Sequence, residues 1–265
     1  MAPKKVMITG ISGIVGSSAY LQMRQFPEKY ELYGLGRRRV LSERVKDARD
    51  IDLPVDSHCV ADITDFDSVL EAVSGMDVVV HMAADPAAGG NWESVLRNNI
   101  LGAYNVFEAC RQSEVKRIVA ASTIQVSTGH RGQAPYDAVS QGRLESLPEG
   151  VPMVSTEVPA EPRNLFNESL CRTFAFSHGM SCLGIRIGWV VGEDSVPNQR
   201  SEDIWCSQRD IAGLIQACVD APDDLRFDIF YGMSNNRYRW VDLTNAREKL
   251  GWEPQDRAED RLSED

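Results

Sequence analysis

Residues 9–16 read Thr9-Gly10-Ile11-Ser12-Gly13-Ile14-Val15-Gly16, between the apolar run Val6-Met7-Ile8 and an apolar-periodic stretch, Val15–Arg24. Glycines at 10, 13 and 16 by themselves serve ordinary turns as well. Placed between a strand and a helix, they allow a tight reversal and a close approach of backbone to a pyrophosphate. The helix that follows offers free N–H groups and the positive end of its dipole to that anion. The context predicts a dinucleotide-binding turn, with Gly10, Ser12, Gly13, Ile14 and Gly16 as its cradle.

The rest of the chain supports the same architecture. Strand patterns at Val6–Thr9, Glu31–Leu35, His58–Val60, Val78–His81, Arg117–Ala121 and Cys182–Ile187 alternate with helical ones at Phe66–Val73, Trp92–Gln112 and Arg163–His178. That alternation predicts an α/β protein, a Rossmann-type doubly wound parallel sheet with helices on both faces. Residues 1–180 are expected to form the dinucleotide-binding domain, with strand 182–187 completing its sheet. Residues 188–265 are expected to be a small C-terminal substrate lobe, holding a helix Gln208–Asp220, a strand Phe227–Tyr231 and a helix Asn245–Leu250. Ser207 with Asp210 three residues on reads as a helix start, so Asp210 is expected to be structural. Residues 127–162 are rich in glycine and proline, a long irregular excursion of the kind that carries function or motion.

Composition narrows the partners. The 265 residues carry a net charge of -11, which argues against nucleic acid and anionic membranes. No apolar run is long enough to span a bilayer and the N-terminus shows no signal peptide, so a cytoplasmic protein is expected. The six cysteines form no C-x-x-C pair and are expected to be buried free thiols. Four scattered histidines give no metal-ligand spacing, and no Ser-His-Asp set stands out. Against the acidic background, Leu35-Gly36-Arg37-Arg38-Arg39 places glycine where an NAD-binding acid is expected at the end of strand two, with arginines directly after it. This favours NADP over NAD, through Arg37 and Arg38; the alternative is a solvated basic turn.

Together with Ala61-Asp62-Ile63-Thr64-Asp65, Val80-His81-Met82-Ala83-Ala84, Asn99-Ile100-Leu101-Gly102, Asn198-Gln199-Arg200, Tyr231-Gly232-Met233-Ser234 and Leu250-Gly251-Trp252-Glu253-Pro254, the glycine turn resembles the extended short-chain dehydrogenase/reductases of the NAD(P)-dependent epimerase/dehydratase family. Within that group the chain is most similar to uronate dehydrogenases, over nearly its whole length. The resemblance implies that Asp62 and Ile63 hold the adenine and that Met82, Ala83, Ala84 and Asn99 complete the cofactor site. It also implies a sugar acid or related small carboxylate as substrate, and a homo-oligomer.

The family's chemistry uses a tyrosine, a lysine four residues later, and a serine or threonine after strand five. Thr123 matches the last. The tyrosines stand at 20, 30, 33, 104, 136, 231 and 238, none with lysine four residues on, and no lysine lies between Lys116 and Lys249. One alignment puts Ala160 and Asn164 at the tyrosine and lysine positions; another puts Phe166 and Leu170 there. Tyr136 is a candidate replacement acid or a plain loop tyrosine. Asp85 is a candidate base or an Asp-Pro turn residue, and His81 reads as core. Ile124 and Gln125 replace the Asn and His that uronate dehydrogenases resemble one another in carrying, and Trp189 replaces a small hydroxyl residue. Arg200 matches an arginine gripping the substrate carboxylate, its alternative being an ion pair with Glu202 or Asp203. Two function classes follow: an NADP-linked enzyme with non-standard or lost hydride transfer, or a non-redox isomerase, lyase or NADP(H)-responsive binding protein.

Overall fold

Seven strands form one parallel sheet: β1 Lys4–Thr9, β2 Tyr30–Gly36, β3 His58–Val60, β4 Val78–His81, β5 Arg117–Thr123, β6 Ser181–Ile187 and β7 Phe227–Gly232. Their order across the sheet is β3-β2-β1-β4-β5-β6-β7. The computed structural model describes residues 2–47, 49–86, 91–156, 166–196 and 201–262. The helices are α1 Ile14–Met23, α2 Phe66–Val73, α3 Trp92–Val95, α4 Ala103–Gln112, α5 Thr128–Arg131, α6 Tyr136–Ser140, α7 Phe166–His178, α8 Gln208–Val219 and α9 Thr244–Leu250.

Both faces of the sheet are covered, which explains why its strands read as continuous apolar runs. Alternate residues feed opposite cores. Val6 and Ile8 of β1 and Val80 of β4 face the layer that holds α1 and α8. Met7 and Val79 face the layer of α2, α4 and α7. The strand order reverses between β1 and β4, and the carboxyl ends of those two strands therefore open a crevice.

Three differences from the sequence reading concern the path of the chain. First, β7 pairs with β6 from Cys182↔Phe227 to Ile187↔Gly232, and α8 packs against α1. Both elements, grouped above with the C-terminal lobe, are part of the sheet sandwich, because their apolar positions complete its two cores. Second, the helix expected over Trp92–Gln112 is interrupted by a π-helical stretch, Leu96–Gly102. Third, the described part of the excursion, residues 127–156, is partly helical and packs against the C-terminal part of the chain. Ile124 and Val154 share a small core with Ile204, Tyr231, Met233, Trp240, Val241 and Leu243, and Val154 bridges Val241.

The crossover from β2 to β3 is unusual. Parallel neighbours are ordinarily joined through a helix, whereas residues 37–54 carry none among the described residues. Ile51 and Leu53 pack on the α1-side core, and Asp52 accepts from Arg24 at 2.8 Å.

A buried arginine anchors the far end of the sandwich. Arg117, at the start of β5, is 4% exposed. It donates to the carbonyls of Val219 (3.1 Å), Ala221 (2.7 Å) and Pro222 (2.7 Å) and to Ser181 Oγ (2.8 Å). A positive charge thus satisfies the orphan carbonyls at the C-terminus of α8. Replacement by Met keeps the stem but strands those buried carbonyls. We expect Arg117→Met to lower stability by about 3 kcal/mol in a urea titration.

Candidate functional site

The crevice at the strand-order reversal is a cleft of about 370 Å³. Its floor is backbone. Gly10 sits at φ +69, and a Cβ there would lie 2.8 Å from Ala83 Cα and N. A Cβ on Gly16 would meet the Gly10 carbonyl oxygen at 2.3 Å, so α1 rests directly on the turn. Gly13 is the N-cap of α1; no side chain caps the helix there and no acidic residue stands in its first turn. The N-terminal N–H groups and the helix dipole are thus offered to an anion. Gly10, Ser12, Gly13, Ile14 and Gly16 all line the cleft, as the glycine spacing predicts. A bare helix start over a floor that tolerates no side chain fits a dinucleotide diphosphate.

Arg37 and Arg38 line the cleft beyond the end of β2, facing Asp62 and Ile63 beyond β3. Asp62 accepts from the backbone N–H and hydroxyl of Thr64, each at 2.9 Å. The Thr64 N–H above all, with help from the nearby Arg37 charge, holds the Asp62 carboxyl below its usual range. Met82, Ala83 and Ala84 form the wall that continues β4.

Asn99 does not line the cleft. Its Oδ1 accepts from Asp85 N at 2.7 Å and its Nδ2 donates to Asp85 O at 3.1 Å, a two-point clamp on the backbone after β4. The neighbouring Asn98 lines the cleft instead. Ser42, Arg44 and Val190 also line it, and none was singled out in the sequence. The two former lie in the aperiodic 37–54 crossover, where the density of arginine was the only signal.

The substrate end is built on β5. Thr123 closes that strand, and its Oγ1 accepts from Gln125 N at 3.2 Å. Gln125 is exposed. Ile124 is 2% exposed and points into the small core, which removes it from the substrate-contacting set: the 3-10 turn Ile124–Ser127 rotates it inward. Trp189 is 43% exposed and bridges Trp205. The Tyr136 hydroxyl donates to Pro152 O at 2.9 Å, so it is held within the excursion. Asp85 receives the Ser94 hydroxyl on its carboxylate. Asn164 and Arg200 lie outside the described residues. No group of three or more metal-ligating side chains occurs among the described residues.

Beneath Thr123 lies a buried ion pair that the sequence did not announce. Arg186 on β6 donates to both carboxylate oxygens of Glu168 on α7, at 2.9 and 3.0 Å. Glu168 also accepts from Ser122 Oγ at 2.7 Å, and Arg186 reaches Ser127 and the Tyr231 hydroxyl. Both partners are nearly solvent-free. Removing one of two such charges costs about 3–5 kcal/mol, since the other is left buried and unpaired. Asp210 is likewise structural: its N–H is capped by Ser207 Oγ, and its carboxylate accepts from Ser234 Oγ and Gln255 N.

The model of the family described as NAD dependent epimerase/dehydratase matches residues 6–213. The NAD-dependent glucose-6-phosphate dehydrogenase of Haloferax volcanii is 30% identical over 262 residues, covering 95% of this chain and 93% of that protein. The uronate dehydrogenase of Agrobacterium fabrum is 32% identical over 202 residues, 76% of this chain and 70% of its own. The crystal structure of uronate dehydrogenase from Agrobacterium tumefaciens superposes with a TM-score of 0.73 at 26% identity, covering 98% of this chain and 87% of that one.

His81, at the end of β4, ties the cleft floor to the core. Its Nδ1 meets Thr9 Oγ1 at 2.8 Å, and Thr9 accepts from Ala83 N at 3.3 Å. Burial lowers its pKa from 6.5 to about 4. The folded ring therefore stays neutral while the unfolded ring takes a proton first as pH falls. Its contribution is complete above pH 6.5 and is lost as pH falls toward 4, an effect of about 3 kcal/mol. His81→Asn, which keeps an acceptor for Thr9, should flatten the pH dependence of the urea midpoint across that window.

Proposed function

The chain belongs to the NAD dependent epimerase/dehydratase family, and on that premise we propose that it binds NADP(H) and a small carboxylate, with ordinary hydride transfer weak or lost. The carrying observation is an inventory: no tyrosine in the chain has a lysine four residues on, and residues 117–248 contain no lysine. The substrate class we assign is a sugar acid or a related compound, in keeping with relatives named as dehydrogenases of sugars and uronates.

The chain's own residues divide as follows. The Gly10–Gly16 turn and the α1 N-terminus hold the diphosphate, Asp62 and Ile63 the adenosine, and Met82 to Ala84 the nicotinamide side. The nicotinamide, when bound, supplies a hydride acceptor or donor. Thr123 donates its hydroxyl hydrogen to the substrate oxygen while its own oxygen accepts from Gln125 N. A threonine hydroxyl polarises that oxygen but does not take its proton near neutral pH, so the acid/base part of the step is missing. Tyr136 replaces it only by releasing Pro152 O. Arg200 is assigned to the substrate carboxylate, with Gln125, Trp189 and Asp85 at the same end.

Arg37 and Arg38 support NADP. Both line the cleft in a chain of net charge -11, which makes a local pair of cations beside Asp62 a departure from the overall charge balance. The missing acid/base group also favours a second reading on the same fold, a non-redox isomerase or lyase, or an NADP(H)-responsive binding protein.

Incubation with glucuronate or galacturonate and either oxidised cofactor, followed by nicotinamide absorbance, should give rates about a hundredfold to ten-thousandfold below a complete acid/base site. Robust turnover rejects the reading. Titration of both dinucleotides should show tighter NADP binding, and equal or stronger NAD affinity rejects the cofactor assignment.

A further inference from the structure

Three of the buried or half-buried arginines among the described residues are committed to carboxylates. Arg49 pairs with Asp47, Arg131 with Asp203 and Arg186 with Glu168. Arg44 lines the cleft, and among the described residues its guanidinium meets neither a carboxylate nor a carbonyl. It lies in the helix-free crossover between β2 and β3, and that segment is tied down as a strap across the cleft.

Three tethers fix the strap. Ser42 N donates to Ser12 O at 2.8 Å, which docks it on the glycine turn itself. The Arg44 carbonyl lies against Gly192, where an added Cβ would come within 2.0 Å of its oxygen and 2.9 Å of Lys46 Cγ. At the far end, Arg49 donates to Ser17 and Ser18 of α1, each at 2.9 Å, and to Gln208. Gln208 closes the frame by donating to Val191 O at 2.8 Å and Gly192 O at 3.1 Å. The glycine at 192 is thus demanded by the proximity of the strap, since its own φ lies outside the positive range.

We propose that Arg44 is a diphosphate-binding residue, delivered over the N-terminus of α1 by this strap, and that Gly192 is what lets the strap sit there. The inference rests on the reading of the cleft as a dinucleotide site and assigns a division of labour within it. Arg37 and Arg38, leaving β2 opposite Asp62, serve the adenosine side and its 2′-phosphate. Arg44, carried on the strap that Ser42 docks on Ser12, serves the two central phosphates. The bare helix start carries only about half a unit charge, against two negative charges on the diphosphate, and a guanidinium fork supplies the remainder in a geometry suited to phosphate oxygens.

Titration of NAD, NADP, ADP-ribose and adenosine 2′-monophosphate against the full chain separates the roles. Arg44→Gln removes an exposed side chain that has no partner among the described residues, so its thermal unfolding should match the parent. It should weaken NAD, NADP and ADP-ribose by a similar factor, roughly tenfold, and leave adenosine 2′-monophosphate unchanged; Arg44→Lys should regain part of the loss. Unchanged affinity for all three diphosphates overturns the assignment, as does a loss confined to NADP. Arg37→Gln combined with Arg38→Gln should weaken NADP and adenosine 2′-monophosphate but not NAD. If that pair changes nothing, the NADP reading fails while Arg44 stands. If the parent binds none of the four probes, the dinucleotide reading itself fails. Gly192→Val should reproduce the Arg44→Gln loss, and the double variant should lose no more than the worse single one. Losses that multiply overturn the role of Gly192 in holding the strap.

Discussion

The contact between the Gly10 turn and the backbone after β4 sets the geometry of everything above it. With φ at +69 and Ala83 Cα at 2.8 Å from where a Cβ would be, position 10 excludes side chains twice over. The same turn carries α1, because Gly16 rests on the Gly10 carbonyl. Thr9, one residue earlier, joins His81 and Ala83 through one hydroxyl. Two strands, a helix start and the cleft wall are thereby fixed by backbone approach rather than by side-chain packing. A cleft floored in this way leaves room for tetrahedral, charged phosphate groups where a floor of side chains would fill it.

The opposite end, around Thr123, is organised by charge. Arg186 and Glu168 join β6 to α7 under Thr123, and Ser122 is drawn into the pair. Low dielectric makes such a pair costly to bury and costlier to break. Ser122 and Thr123, at the end of β5, therefore stand on a rigid, hydrogen-bonded base. Arg117 does comparable work at the amino-terminal end of the strands, against carbonyls rather than a carboxylate.

Much of the fold was legible because strand and helix periods are local. The apolar runs mark β1 to β6 within a few residues, and the glycine turn lies on the cleft. Three things were not legible, each for a physical reason. Helix α8 and strand β7 were read into a separate lobe, since no local pattern states which sheet edge a strand joins. Asn99 and Asn98 exchange roles within a π-helical stretch, where a one-residue shift turns a side chain by roughly a quarter turn or more. Ile124 stands on the substrate side only by its match to the Asn that uronate dehydrogenases carry, whereas the 3-10 turn directs it into the core. Ser42 and Arg44 escaped notice altogether. Aperiodic segments leave no signature of what they fold over.

The helix-free crossover between β2 and β3 has a consequence for how such a protein diversifies. Its outer half is held by main-chain groups, the Ser42 amide and the Arg44 carbonyl, and only its inner half inserts side chains into the core, at Ile51 and Leu53. Residues 37–46 are therefore under little pressure from folding. A change of charge in that stretch can alter what the cleft holds while the sheet stays indifferent. The segment is a place where selection can work on recognition without first renegotiating stability.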